Sequence, residues 1–249
     1  MGGPPLGRRV LAELLGTGLL VTAVVGSGIA AAKLSSDVGL QLLENTTATV
    51  GALIALILAL GPVSGAQFNP VVTLADRVFG GISTRDAGAY IVAQIVGGLG
   101  GSLLANAMFA LPTLEASIKV RSSAPLWLAE VVATFGLMLV IFGVVRSGRA
   151  SAAAFAVGAY IGGAYFFTSS TSFANPAVTI GRTITNTFAG IKPSSAPAFI
   201  AAQVVGAALA VGAIKVLYPD IARSAADVIV PHHAEAADPR WATEPKESP

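Results

Sequence analysis

Long apolar segments separated by short polar stretches occupy most of the chain. A helix that crosses a bilayer needs about 20 predominantly apolar residues, and six segments approach or exceed that length. These segments are residues 10–32, 41–60, 87–111, 126–145, 151–168 and 196–218. The pattern therefore predicts an all-α membrane protein with six transmembrane helices.

Two further apolar segments, one after the second span and one after the fifth, are each interrupted by Asn-Pro. They read SGAQFNPVVT, with Asn69 and Pro70, and TSFANPAVTIGR, with Asn175 and Pro176. Asparagine is a strong N-cap, and proline is favoured in the first turn of a helix. Each pair should therefore start a helix of about 10 residues, which is long enough to cross half of the hydrocarbon.

The two halves of the chain repeat each other. AELLGT near the start of residues 10–111 matches AEVVAT near the start of residues 126–218, which aligns Glu13 with Glu130. Each half holds three spans, an odd number, so the second half enters the membrane from the opposite side. The sequence thus predicts an inverted repeat, with both half-helices pointing their N-termini at the bilayer centre.

Composition agrees with a membrane protein and excludes several functions. Charged residues make up 11% of the 249 residues, against about 25% in soluble domains. The net charge of +2 argues against a nucleic-acid partner, and the absence of cysteine excludes disulfides and thiolate metal sites. The predicted spans contain no histidine or cysteine, so we expect no enzyme activity, no metal and no cofactor.

Positive charges indicate the orientation. With the N-terminus inside, more basic residues lie on the cytoplasmic side than outside; the cytoplasmic set is Arg8, Arg9, Arg77, Arg85, Arg146, Arg149, Lys215 and Arg223. We therefore expect residues 1–9 to form a cytoplasmic N-terminus. Residues 219–249 are polar and contain proline, which predicts a disordered cytoplasmic tail.

Over roughly residues 8–218 the chain resembles the aquaporin, or major intrinsic protein, family. The resemblance is carried by the six spans, by AELLGT, by the aligned Gln94 and Gln203, and by two Asn-Pro boxes. The boxes consist of Asn69, Pro70 and Val71, and of Asn175, Pro176 and Ala177. The resemblance implies a bundle of six transmembrane helices plus two half-helices. It also implies a homotetramer in membrane lipid, with one pore per protomer for small neutral solutes.

The resemblance also implies roles for particular residues. Asn69 and Asn175 would donate amide hydrogens to solutes at the pore centre, and Glu13 and Glu130 would hold the half-helix loops. Solvation at the headgroup level is the alternative for both glutamates. Arg182 lies seven residues after Asn175, and we expect it to be solvated in a loop, with a pore-facing role as the alternative.

The chain departs from the family at its selectivity filter, where most members carry arginine three residues after the second box asparagine. Here that residue is Val178, and counting from the boxes without gaps gives Thr49, Gly163 and Ser172 as the other positions. We expect a wide ring with hydroxyls and no fixed charge. Such filters resemble a bacterial branch associated with arsenite and related metalloids, which implies a bacterial inner membrane.

Two other functions remain as alternatives. One is an ordinary water-selective aquaporin. The other is an ion-coupled secondary transporter, a class that shares inverted repeats and broken helices. Coupling to ions normally needs buried acidic groups at the midplane, whereas Glu13 and Glu130 lie toward the ends of their spans.

Overall fold

Six long helices and two short ones make up the computed structural model, which describes residues 4–219. The long helices are α1 (Leu6–Leu34), α2 (Val38–Ser64), α4 (Thr84–Met108), α5 (Ala124–Arg146), α6 (Ala153–Phe167) and α8 (Ala196–Leu217). The short ones are α3 (Pro70–Phe79) and α7 (Pro176–Gly181), and a 3₁₀ turn, Arg182–Ile184, continues α7. Six helices are long and apolar enough to cross a membrane, which confirms the predicted all-α fold.

Three of the long helices, α1, α2 and α5, extend beyond their predicted apolar segments at both ends, and for α2 a polar side chain explains where the helix begins. The side chain of Asp37 accepts a hydrogen bond from the backbone N–H of Leu40, so α2 begins at Val38 rather than at residue 41. At its other end α2 stops at Gly65, whose φ of 85° is accessible to glycine at little cost. The capping residues thus determine where α2 begins and ends, which the hydrophobic pattern alone does not.

The helices pair in the same way within each half. Helix α1 packs against α4 and α5 packs against α8, while α2 and α6 meet between the halves. In both intra-half pairs a glycine allows the backbones to touch. A Cβ at Gly97 would lie 2.3 Å from the carbonyl oxygen of Leu14, and one at Gly206 would lie 2.4 Å from that of Val131. Small residues at helix crossings are typical of membrane bundles.

The outer surface of the bundle is apolar. Large side chains such as Leu58, Val92, Phe155 and Leu209 are exposed, as expected where hydrocarbon rather than water surrounds the helices. The predicted tail, residues 219–249, lies outside the described residues apart from Pro219, and so do residues 1–3 of the predicted N-terminal segment.

Candidate pore

The two half-helices meet with their N-termini facing each other. Asn69 precedes α3 and Asn175 precedes α7, and each asparagine caps its helix. The Oδ1 atom of Asn69 accepts from the backbone N–H of Val71 at 3.1 Å, and that of Asn175 accepts from Ala177 at 2.9 Å. In each box the asparagine therefore caps the half-helix, and the proline that follows forms part of its first turn.

The same asparagines cross-link the two repeats. Nδ2 of Asn69 donates to the carbonyl oxygen of Ala174, and Nδ2 of Asn175 donates to that of Phe68, both at 2.8 Å. Each amide thus uses its oxygen as a helix cap and one hydrogen as a link to the opposite loop. Within residues 4–219 the second hydrogen of each amide has no protein acceptor, so it can donate to a solute.

The loops before the boxes have strained backbones in matching positions. Ala66 and Phe68 have φ values of 48° and 49°, and Ser172 and Ala174 have 49° and 48°. These are the third and the first residue before each asparagine. Left-handed conformations at such residues cost on the order of 1–3 kcal/mol each and persist only where surrounding contacts hold them.

Glu13 supplies those contacts in the first repeat. Its carboxylate accepts hydrogen bonds from the hydroxyl of Ser64 (2.7 Å) and from the backbone N–H groups of Gln67 (3.0 Å) and Phe68 (2.7 Å). The side-chain amide of Gln94 donates a fourth bond at 2.8 Å. The carboxylate is therefore buried with both oxygens hydrogen-bonded. A carboxylate buried in a membrane without such donors would be strongly unfavourable.

Glu130 plays the same part in the second repeat. It accepts from the backbone N–H groups of Phe173 and Ala174, both at 2.9 Å, and from the amide of Gln203 at 2.7 Å. Both glutamates are fully buried, at 0% exposure. Solvation at the headgroup level, the alternative for these residues, is therefore wrong.

A narrow cavity of about 60 Å³ runs past the junction of the two half-helices. Asn69 and Asn175 both line it. Apolar side chains of the long helices form much of its wall; these are Leu20, Val24, Leu53, Ile57, Leu137, Ile141, Val157 and Ile161. The polar lining groups thus include the two box asparagines, and they also include Ser172 and Arg182, whose part of the wall we call the Arg182 mouth.

Three of the four predicted filter residues, Thr49, Ser172 and Val178, line the cavity, but Gly163 does not. Gly163 is exposed, and Tyr165 lines the cavity with its hydroxyl 3.4 Å from Oγ1 of Thr49. The placement of Gly163 was wrong because lining positions on α6 recur every four residues. A residue two places away points about 200° around the helix.

Arg182 is the functional candidate that the sequence analysis misplaced. It is 3% exposed and lines the cavity, so the expectation of a solvated loop residue was wrong. Its Nε donates to the carbonyl oxygen of Ala189. The signal was present in the sequence, because Arg182 follows Val178 by four residues and such pairs share one helix face.

Comparison with known proteins identifies the family. The family model described as Major intrinsic protein matches residues 4–172 and 147–241. Aquaglyceroporin AqpS of Rhizobium meliloti is 50% identical over 210 residues, which cover 84% of this chain and 90% of that protein. Probable aquaporin AqpM of Archaeoglobus fulgidus is 30% identical over 233 residues, covering 82% of this chain and 94% of that protein.

A solved structure agrees at the level of the fold. The aquaglyceroporin from Plasmodium falciparum superimposes with a TM-score of 0.64 at 19% identity, over 87% of this chain and 99% of that one. Residues 4–219 also contain six helices that are long and apolar enough to cross a membrane, and together with these matches they make the protein a multi-pass membrane protein. It belongs to the major intrinsic protein family, whose members are channels rather than enzymes.

Proposed function

We propose that the protein is a passive channel for small neutral solutes, among them water, glycerol-like polyols and arsenous acid. The observation that supports this most directly is the pair of cross-linked asparagines beside one cavity. Asn69 and Asn175 are held by reciprocal 2.8 Å bonds and keep one amide hydrogen each for a passing molecule. The relative that is 50% identical is an aquaglyceroporin.

Electrostatics favours uncharged solutes. The N-termini of α3 and α7 both face the junction, and a helix N-terminus carries a partial positive charge. Cations, including hydronium, are repelled there, whereas the oxygen of a neutral solute can accept hydrogen bonds. The apolar walls offer few competing polar groups, which limits how long a solute remains bound.

Each site residue has a role in the proposed channel. Asn69 and Asn175 form the central constriction, the boxes that they begin are completed by Pro70, Val71, Pro176 and Ala177, and Glu13 and Glu130 support the loops. Thr49, Tyr165, Ser172 and Val178 form the filter, with Tyr165 in the place first given to Gly163. Valine at position 178 leaves space that arginine would fill, which favours solutes larger than water.

We further propose a homotetramer in a bacterial inner membrane, with both termini cytoplasmic. Residues 10–218 would form the channel, as repeats 10–111 and 126–218, between a cytoplasmic segment 1–9 and a cytoplasmic tail 219–249. The exposed apolar side chains of the long helices suit contact with lipid or with neighbouring protomers.

A coupled transporter is the weaker candidate. Glu13 and Glu130 are the acidic groups that such a mechanism would use, and the oxygens of both are engaged by loop N–H groups and by Gln94 or Gln203. Carboxylates that hold the loops in this way would release them on protonation, so ion coupling would dismantle the pore.

Stopped-flow light scattering on proteoliposomes tests the proposed function. We expect faster entry of water, glycerol and arsenous acid than in protein-free liposomes, rising linearly with concentration. An uncoupler that collapses the proton gradient should leave these rates unchanged. Saturation at low solute concentration, or rates that fall with the gradient, would favour a carrier, and a water-only increase would favour a water-selective aquaporin.

A further inference from the structure

Arg182 brings a buried cation to the wall of the cavity. Its Nε bonds to the carbonyl of Ala189, and its guanidinium carbon lies 3.4 Å from the centroid of the Phe173 ring. The cavity that it lines is also lined by Ser172 and Val178. Among residues 4–219 no acceptor takes a hydrogen from its two terminal nitrogens. These donors are therefore available to a molecule in the cavity.

A second arginine lies near the same ring. The guanidinium carbon of Arg121 is 5.0 Å from the centroid of Phe173, and its nitrogens donate to the carbonyl oxygens of Gly190 (3.1 Å) and Ser170 (3.4 Å). Neither Arg121 nor Arg182 makes an ion pair within the described residues. Arg121 is also buried, at 9% exposure, so water screens its charge only weakly.

Lys119 adds to the positive charge of the two arginines, and Glu130 partly offsets it. Burial, together with the like charges of Arg121 and Arg182, lowers the pKa of Lys119 to about 8. Glu130 is the acidic group that faces both arginines, but its oxygens accept from Phe173, Ala174 and Gln203. The described charges around the Arg182 mouth are thus three cations, Lys119, Arg121 and Arg182, and one carboxylate that makes no ion pair with either arginine, so the net charge there is positive.

Position on the half-helix relates Arg182 to the filter. Val178 occupies the place where arginine is expected, and Arg182 follows it by four residues on the same face. At about 1.5 Å per residue, the two α-carbons are separated by about 6 Å along the axis. The charge that Val178 lacks is therefore present about one turn farther from the boxes.

We infer that Arg182 is the specificity-determining cation of this pore, excluding cations from the Arg182 mouth and donating hydrogen bonds to the oxygens of neutral polyols and protonated oxyacids. This inference rests on the proposed channel function. The pore would then be wide at Val178 and would still carry a fixed positive charge at Arg182. Guanidinium suits the task because it stays charged and presents several donors in a plane.

Proteoliposomes with an internal pH-sensitive dye test the inference, with the proton leak measured beside glycerol entry. We expect Arg182→Gln to raise the proton leak by about tenfold, because a charge in a weakly screened site is lost. Arg182→Lys keeps the charge and should leave the leak at the wild-type level. The matched control is Arg85→Gln, which removes an exposed arginine outside the cavity lining and should change neither rate.

Two more variants separate charge from structure. Arg182→Met keeps a long side chain over Phe173 and should leak as Arg182→Gln does, and its size-exclusion profile shows whether it assembles. Adding Val178→Arg to Arg182→Gln returns a guanidinium to the same face and should lower the leak again. The inference would be overturned if Arg182→Gln or Arg182→Met assembled and leaked protons no faster than wild type. It would also be overturned if Arg182→Lys raised the proton leak as much as Arg182→Gln does. Wild-type glycerol entry at the protein-free rate would instead overturn the proposed function.

Discussion

Asp76 and Arg182 occupy equivalent positions in the two repeats, each seven residues after the box asparagine, and both are buried. Oδ2 of Asp76 accepts from Nε2 of Gln67 at 2.7 Å. Gln67 lines the cavity whereas Asp76 does not. The internal two-fold symmetry thus relates an acid to a base, and only the base reaches the cavity wall.

Replacing Asp76 by asparagine should therefore leave the cation barrier intact. The variant removes a negative charge that lies behind Gln67, so we expect a proton leak no higher than that of wild type. Glycerol entry should stay within about twofold, because asparagine still offers Gln67 an oxygen. The proton-leak measurement that serves for Arg182 checks this, and a clear rise would show that Asp76 shapes the cavity potential.

Asn175→Leu should abolish solute entry. The change removes the N-cap of α7, worth about 1 kcal/mol, and the bond to the Phe68 carbonyl, and it places an apolar side chain at the constriction. Stopped-flow entry of glycerol and water is the measurement, normalised to protein abundance. Wild-type entry at wild-type abundance would refute a pore centred on the two asparagines.

Val178→Arg should reduce glycerol and arsenous acid entry far more than water entry. Val178 lines the cavity, and the longer arginine side chain would narrow it by an amount on the order of a water diameter. The new guanidinium would also add a second positive charge near Arg182. The ratio of solute to water permeability checks this, with Val178→Leu as the control that adds little bulk and no charge. An unchanged ratio would mean that position 178 does not limit solute size.

Glu13→Gln should destabilise the first half-helix loop. The carboxylate accepts bonds at both oxygens, whereas glutamine presents an NH₂ group to donors on one side, and each buried donor left unpaired costs about 1–3 kcal/mol. We expect lower assembly and reduced entry of all solutes, measured by size exclusion and stopped flow. Glu115→Gln, which changes an exposed residue, should behave as wild type.

Gly97→Ala should lower the thermal stability of the bundle in detergent, by about 1–3 kcal/mol as overpacked sites generally show. Its new Cβ would lie 2.3 Å from the backbone oxygen of Leu14, so α1 and α4 must separate. Gly100→Ala, on the same helix with nothing within 4 Å, is the matched control and should be neutral or slightly stabilising. Equal unfolding temperatures for the two variants would contradict the close packing.

The sequence alone determined the features that depend on short-range chemistry. Six apolar segments, two capped half-helices and the alignment of Glu13 with Glu130 follow from hydrophobicity, N-cap preference and repetition. None of these features depends on how a helix is rotated about its axis. The structure accordingly has its half-helices beginning at Pro70 and Pro176, and the fold was predictable.

The tertiary structure decided which side chains face the cavity. One residue along a helix corresponds to a rotation of about 100°, so counting from a box could not separate Gly163 from Tyr165 on α6. The burial of Arg182 depends on Phe173 and the Ala189 carbonyl, which the fold brings together around the end of α7. The four-residue spacing indicates that Arg182 and Val178 share a helix face, but only long-range packing decides that this face borders the cavity at Arg182 rather than solvent.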